Sequence, residues 1–282
     1  MAEQADARRM QILETLYRQS EPKDIEQLAK SLKCDMRTIR RDIEILQEIL
    51  SGIQGVELRK GKVSANRSGF TAGYFTAQLE QGTAAKEAIA RTIVSLLPEN
   101  SAIALTAGST TYTVAQHIRR RAIADEAPRN LIVFTNSLPA LHELISGDVS
   151  TGILGEIYAP DDCAFHSPEF RSAFQPSIAV VGASGVLLNT SSSSTSLDLF
   201  SHRAEEAAFL KQLLKGIPEL IVAVDSRKLG KRHPWSFGGA TLSGKSVTLI
   251  TDSITEEQRV TLDTVSQQLA QQGTHFRYQT AH

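Results

Sequence analysis

The sequence predicts an α/β body, built on a mostly parallel sheet, behind a small helical head. Three observations point there. From about Thr83, apolar runs of strand length alternate with amphipathic runs of helix length, the pattern of parallel strands with helices on both faces. Before residue 50, three shorter runs carry apolar residues at helical spacing. The length, 282 residues, suits two domains at roughly 150 residues each. The division expected is a head over 1–63, a linker over 64–82 and a body over 83–282.

In the head, Arg8 to Gln19 sets Met10, Leu13, Leu16 and Tyr17 on one helical face, and Glu21-Pro22 ends it. Asp24 is placed to cap a second helix with the stripe Ile25, Leu28, Ala29 and Leu32. A short turn at Lys33-Cys34-Asp35 leads into a third helix near Met36, which turns Ile39, Ile43, Leu46 and Leu50 inward. Val56 to Val63 reads as a short basic hairpin. The linker is rich in small polar residues, with Phe70, Tyr74 and Phe75 available for packing. The body's expected strands are Ala102–Thr106, Leu131–Thr135, Thr151–Leu154, Ser177–Val181, Glu219–Val224 and Val247–Thr251. Its expected helices include Ala84–Leu97, Thr111–Arg121, Pro139–Ser146 and Ala204–Leu214. Thr190–Ser196, low in complexity, reads as an exposed loop, and Asp161–Phe170 as a loop able to cover a site.

Composition excludes several classes. Hydrophobic residues make up 41% and charged residues 22%, an ordinary globular balance. The net charge of -1 excludes a polycation that coats nucleic acid, although residues 1–70 carry a net +2 and the rest a net -3. Cys34 and Cys163 lie far apart, which excludes a disulfide framework and a zinc finger. No His pair has metal-ligand spacing, so neither a metal nor a cofactor is expected. No apolar run approaches a membrane span and no signal peptide is visible, so a cytoplasmic protein without a membrane partner is expected.

The sharpest local signal is Thr38-Ile39-Arg40-Arg41-Asp42-Ile43. A helix that reads DNA needs cationic and polar groups near its N-terminus and an apolar face behind them. Arg37, Thr38, Arg40 and Arg41 lie off the Ile39/Ile43 face. Arginine can grip guanine or phosphate, and threonine a phosphate or a thymine methyl. Arg59, Lys60 and Lys62 on the hairpin are placed to touch backbone phosphates as a wing. The three helices, short turn and basic hairpin together predict a winged helix-turn-helix. The string DIEQLAKSLKCDMRTIRRDIEIL (24–46) resembles the head of the DeoR family of bacterial transcriptional regulators, with Cys34-Asp35 where that family usually has Val-Ser.

In a parallel sheet, ligands bind beyond the carboxyl ends of the strands. Those ends are polar or glycine-rich here: Ala107-Gly108-Ser109-Thr110-Thr111, Thr135-Asn136-Ser137, Leu154-Gly155-Glu156, Val181-Gly182-Ala183-Ser184-Gly185 and Asp225-Ser226-Arg227-Lys228. Hydroxyls and free N–H groups at a helix start suit a phosphate or carboxylate, Lys228 adds positive charge, and Asp225 can accept from a sugar-like hydroxyl. These segments, with ITDS at 250–253, are similar in order and spacing to the sensor domain of DeoR-family regulators, over about residues 83–255. That domain looks like a sugar-phosphate isomerase and binds phosphorylated sugars or related metabolites. The resemblance implies that Gly108, Ser109, Thr110 and Thr111 hold a phosphate, with Asn136, Ser137, Gly155, Asp225 and Lys228 lining the site. It departs from the family at Thr106 and Ser184, where an acid is usual, at Glu156 for the second glycine of an LGG motif, and at Leu210, where a lysine is expected and Lys211 stands next door.

The expected function is a DNA-binding regulator, a repressor by the family's default, controlled by a small phosphorylated metabolite. Its expected partners are double-stranded operator DNA, the metabolite and further copies of itself, as dimer or tetramer. The rival is a sugar-phosphate isomerase-type enzyme with a DNA-binding head. The missing acids at Thr106 and Ser184 disfavour it, although Asp225 and Glu206 remain. A scaffold that binds DNA without any small molecule is a third reading.

Overall fold

The computed structural model describes every residue except 1–4, 6, 7, 10, 13, 14, 17–22, 50–55, 60, 66–74, 76, 77, 125, 127, 129, 168–175, 191–194 and 282. The chain forms two compact units, Met1–Gln81 with Pro160–Cys163, and Gly82–Ala159 with Ala164–His282.

In the first unit, the described residues between Ala5 and Leu16 are helical. They are followed by β1 (Lys23–Asp24), α1 (Ile25–Ser31), α2 (Met36–Ile49) and the hairpin β2 (Val56–Arg59) and β3 (Lys62–Ala65). Ile12, Leu16, Ile25, Leu28, Ala29, Ile39, Ile43, Leu46 and Val63 close a core of their own. The second and third helices and the basic hairpin stand where the sequence sets them. Two details differ. Asp24 precedes α1 but its side chain makes no cap, because Lys23–Asp24 pairs as a strand with Val63 and Lys62. Met10, Leu13, Tyr17, Glu21-Pro22 and Leu50 lie outside the described residues, as do Phe70 and Tyr74 of the linker.

The second unit is a seven-stranded sheet in the order β15-β14-β12-β9-β4-β5-β6. Its strands are β4 (Ala102–Leu105), β5 (Ile132–Thr135), β6 (Ser150–Ile153), β9 (Ile178–Gly182), β12 (Glu219–Ala223), β14 (Ser246–Thr251) and β15 (His275–Thr280). Every pairing is parallel. The chain leaves β4 outward through β5 and β6, then returns to set β9 on β4's other side. The order therefore reverses between β4 and β9, and this is where open α/β sheets bind their ligands.

Near-continuous Ile, Val, Leu and Ala runs form these strands because both faces are covered. One face carries α3 (Thr83–Leu96), α4 (Ser109–Ile123) and α5 (Leu138–Ile145), packed over Ile103, Leu105, Val133, Val180, Ile221 and Ile250. The other carries α6 (Ala204–Leu214) and α7 (Glu256–Gln271), packed over Ala104, Val181, Val222 and Leu249.

Short strands beside the main sheet lay outside the pattern read from sequence: the hairpin β7 (Ile157–Ala159) with β8 (Ala164–His166), and β10 (Gly185–Thr190) with β11 (Thr195–Ser201), to which β13 (Trp235–Ser236) adds a third strand. The expected loop at Thr190–Ser196 is thus partly strand: Thr190 pairs with Thr195, which is buried, while 191–194 lie outside the described residues. Likewise Ala164–His166 of the expected loop at 161–170 is strand, and 168–170 lie outside the described residues.

Candidate functional site

All seven parallel strands end on one rim, and the polar segments gather there. Gly108 precedes α4 with φ 146 and offers no side-chain cap. That backbone conformation favours glycine, and a Cβ at Gly108 would stand a tight 3.2 Å from Thr111 Oγ1. Ser109, Thr110 and Thr111 are all buried. Thr111 Oγ1 donates to the Gly108 carbonyl at 3.0 Å. Thr110 Oγ1 is buried with no hydrogen-bond partner among the described residues. A buried hydroxyl without a partner costs about 1–3 kcal/mol, which a ligand oxygen would recover.

Asn136, also buried, ties the rim together. Its Oδ1 accepts from the Ala107 N–H at 2.7 Å, and its Nδ2 donates to the Phe165 carbonyl at 3.1 Å. It therefore positions the AGSTT loop. Ser137 caps α5 by accepting from the Ala140 N–H at 3.3 Å. Gly155 has φ 94, and a Cβ there would meet the Phe165 backbone at 2.7 Å, so this glycine answers to the close approach of β8.

The charges concentrate at the end of β12. Asp225 is 1% exposed. Its Oδ1 accepts from Arg227 Nε at 2.9 Å, while Oδ2 is buried without a partner. Burial pushes its carboxyl up, but Lys228, Arg227 and Lys86 outweigh that and hold it below the usual range. Lys86, on the first turn of α3, is 2% exposed. Burial, with help from Lys228 and Arg227 and against Asp225, pushes its ammonium down to about 7. Lys228, part-buried, is lowered by burial, with Asp225 and Glu206 acting the other way. Arg227 passes so close to the start of α3 that a Cβ at Gly82 would lie 2.4 Å from its guanidinium. Three cations thus crowd one rim beside Asp225 and Glu206. Ser226 is held by Asp252, which accepts from its N–H at 2.6 Å and its hydroxyl at 3.2 Å. On the α6 side, Ser184 Oγ lies 3.0 Å from His202 Nδ1, and Ser201 hydrogen-bonds Glu206.

Lys86 lies on a helix and not at a strand end, so the strand-end pattern does not pick it out. A signal was there: it occupies the buried stripe Lys86, Ile89, Ala90, Ile93 of α3, where a charge needs a reason.

In the head, Arg37, Arg40 and Arg41 are exposed on α2. Met36, 48% exposed, and Arg40 border a depression of about 380 Å³ with Gln27 and Lys30. Thr38 is tied down: its N–H donates to Asp35 Oδ1 and its hydroxyl to Asp35 Oδ2, both at 2.8 Å. Asp35 thereby caps α2, and these bonds hold its carboxyl low. Asp42 is 2% exposed and accepts from Arg8 Nε at 2.5 Å and Arg9 Nε at 3.1 Å, which anchors the first helical segment to α2. Lys62 is exposed on β3 opposite Arg59. Lys60 lies outside the described residues.

A family model described as the DeoR C-terminal sensor domain matches residues 81–253, and one described as an HTH domain matches residues 8–62. The chain belongs to the DeoR family. It is a DNA-binding regulator with a helix-turn-helix head and a DeoR sensor body. Among solved structures, this DeoR-family chain is similar to ribose 5-phosphate isomerase from Plasmodium falciparum, at 19% identity and TM-score 0.38 over 51% of this chain and 52% of that one. It is similar to ribose 5-phosphate isomerase A from Methanocaldococcus jannaschii at 21% identity and TM-score 0.37, over 51% and 53%. Similarity to eIF2B delta from Chaetomium thermophilum is 13% with TM-score 0.34, over 73% and 68%. The chain spans about half the length of the isomerases it matches. Comparison with curated proteins gives no match. No described helix is long and apolar enough to cross a membrane.

Proposed function

We propose that the body binds a small phosphorylated sugar or related metabolite on the rim at the β4/β9 reversal, and that this binding controls the head's affinity for operator DNA. One observation carries the reading: Lys86, Arg227 and Lys228 stand together on a largely buried rim beside Asp225, with the unpartnered Thr110 hydroxyl buried on the first turn of α4. Cations clustered on one rim favour an anion there. Gly108, Ser109, Thr110 and Thr111 offer the phosphate site at the start of α4, where N–H groups and the helix dipole favour negative charge. Asn136, Ser137 and Gly155 set the loops around it. Lys228 and Lys86 supply charge, and the free oxygen of Asp225 accepts from a hydroxyl of the ligand.

In the head, Arg37, Thr38, Arg40 and Arg41 meet the major groove, and Arg59, Lys60 and Lys62 the flanking phosphates. The division proposed is a head over 1–63, a linker over 64–82 and a sensor over 83–282. One head makes few base contacts, so the acting form is a homo-oligomer on repeated half-sites. The chain acts as a cytoplasmic repressor that the metabolite releases. It does not turn that metabolite over, because Thr106 and Ser184 stand where an acid would move a proton.

Thermal melting against inorganic phosphate, sugar phosphates and the unphosphorylated sugars tests the reading. A ligand at 100 times its Kd adds about 2.7 kcal/mol. The expected result is a shift with a phosphorylated member only, lost in Thr110→Val and Lys86→Met. Equal shifts with unphosphorylated sugars, or none with any member, would contradict it. Incubation of the binding member should return it unconverted between aldose and ketose; turnover would restore the enzyme.

A further inference from the structure

The two edges of the seven-stranded sheet differ in a way that assigns them different roles. β15, at one edge, carries His275 and Arg277, both exposed. Charges of this kind block edge-to-edge pairing. β6, at the other, reads Ser-Thr-Gly-Ile with no charge, and among the described residues no strand pairs with its outer side. Ile153 at its end is 53% exposed.

The helix above β6 repeats the pattern. α5 turns Ala140 and Leu144 onto the sheet. Glu143 faces α4, where it accepts from Tyr112 at 3.2 Å and Arg119 at 2.9 Å. The side turned away from α4 is apolar as well: Leu138 and Ile145 are exposed, with the part-buried Leu141 between them. These positions share one stripe at spacings of three and four. Ile153 points to the same face of the sheet as its partner Thr135 and the buried Val133, the face α5 covers. Leu138 starts α5 at the rim where β6 ends in Ile153, and Ile145 ends α5 near the start of β6. A helix apolar on two sides is built to be buried on two sides.

We propose that this edge is the self-association surface of the body, where β6 pairs antiparallel with β6 of a second copy and α5 packs on its mate. The occupant follows from symmetry and charge. A two-fold axis normal to the strands sets each residue against the same patch reversed, so Leu138 and Ile153 of one copy approach Ile145 of the other. A charged edge would meet its own charge there, as β15 would, whereas the β6 and α5 stripe carries only His142 as a titratable group. The open N–H and C=O groups of β6 gain partners in the same step, giving a sheet that continues through both copies.

This names the surface of the oligomer proposed above and rests on that reading. Sedimentation of the full chain from about 0.1 to 100 μM should show a dimer, with its midpoint raised about 100-fold or more in the double variant Ile145→Glu/Ile153→Glu. Val260→Glu, at the exposed Val260 of α7, should leave the midpoint unchanged. Hydrogen exchange on the unmodified chain adds a readout that needs no variant: amides of Ser150–Ile153 should gain protection as concentration rises. A monomer throughout that range would overturn both the oligomer and this surface. A dimer that survives the double variant, dissociates equally with Val260→Glu, or leaves β6 exchange independent of concentration would overturn the surface alone. Should the double variant fail to fold, the exchange result decides.

Discussion

Lys86 and Asp42 show how one buried charge can serve two different ends. Lys86 titrates near 7, against 10.5 for a free lysine, so the unfolded chain holds this proton more tightly than the folded one. Stability of the ligand-free protein should therefore rise with pH from about 7 to 10.5 through this group, and Lys86→Met should flatten that rise in thermal melts. A bound anion reverses the balance by favouring the ammonium. Its affinity should fall above about pH 7 by up to tenfold per unit, a range where a phosphate monoester is already dianionic and contributes no change of its own. Binding of the phosphorylated ligand at pH 6.5, 7.5 and 8.5 checks this; an affinity that stays level would remove Lys86 from the site. Asp42 is structural. It lies within the TIRRDI string but outside the expected DNA contacts, and its carboxylate faces inward to Arg8 and Arg9. Replacing it with Ala removes the acceptor that Arg8 and Arg9 share and should cost the head about 1–3 kcal/mol, seen as weakened DNA binding while the body's melting is unchanged. Helical period sets Arg40 and Arg41 off the apolar face and Asp42 beside it, but it marks a face and not the partner waiting there, so the arginines that Asp42 binds were not legible.

At the scale of elements, strand and helix were legible wherever burial was two-sided. The runs at β4, β5, β9, β12 and β14 announce themselves because both faces of each strand are covered, so hydrophobic residues run on without alternation. The hairpins β7–β8 and β10–β11 mix polar and apolar residues over a few positions and gave no such signal. β15 lacks a continuous apolar run because it is an edge strand; its signal is instead the alternation of His, Arg and Gln with Phe and Tyr, the period of a half-buried strand. α7 carries few apolar residues, Leu262, Val265 and Leu269 being buried, but its capping box of Thr255 and Gln258 was readable. The glycines of the rim divide by geometry. Gly155→Ala drives a Cβ into backbone at 2.7 Å from an unfavourable φ, and should cost about 2–3 kcal/mol in denaturant unfolding. Gly182→Ala meets nothing nearer than 3.9 Å and should cost less than about 1 kcal/mol. Similar losses at both positions would mean that the rim is looser than these contacts show.

For the whole molecule, the parallel order of the sheet does what no single motif could. It carries five separate polar segments to one rim and sets the AGSTT loop at the point where the strand order reverses. The sequence revealed those segments one at a time; the charge excess at Lys86, Arg227 and Lys228 became visible only once α3 and β12 met. Head and body are separate compact units, so the regulation proposed is a coupling free energy between two binding events, and such coupling is reciprocal. DNA binding should also weaken steeply with salt, and Lys62→Ala should reduce that slope by about one phosphate contact without changing sequence preference. The most direct measurement is fluorescence anisotropy of a duplex that the protein itself selects from a random pool, with and without a saturating amount of the phosphorylated compound that raises its melting temperature most. Coupling predicts a change in DNA Kd of about tenfold or more, matched by the same factor in the compound's affinity when DNA is bound. An unchanged DNA Kd at saturation would mean that the rim binds its ligand without controlling the head.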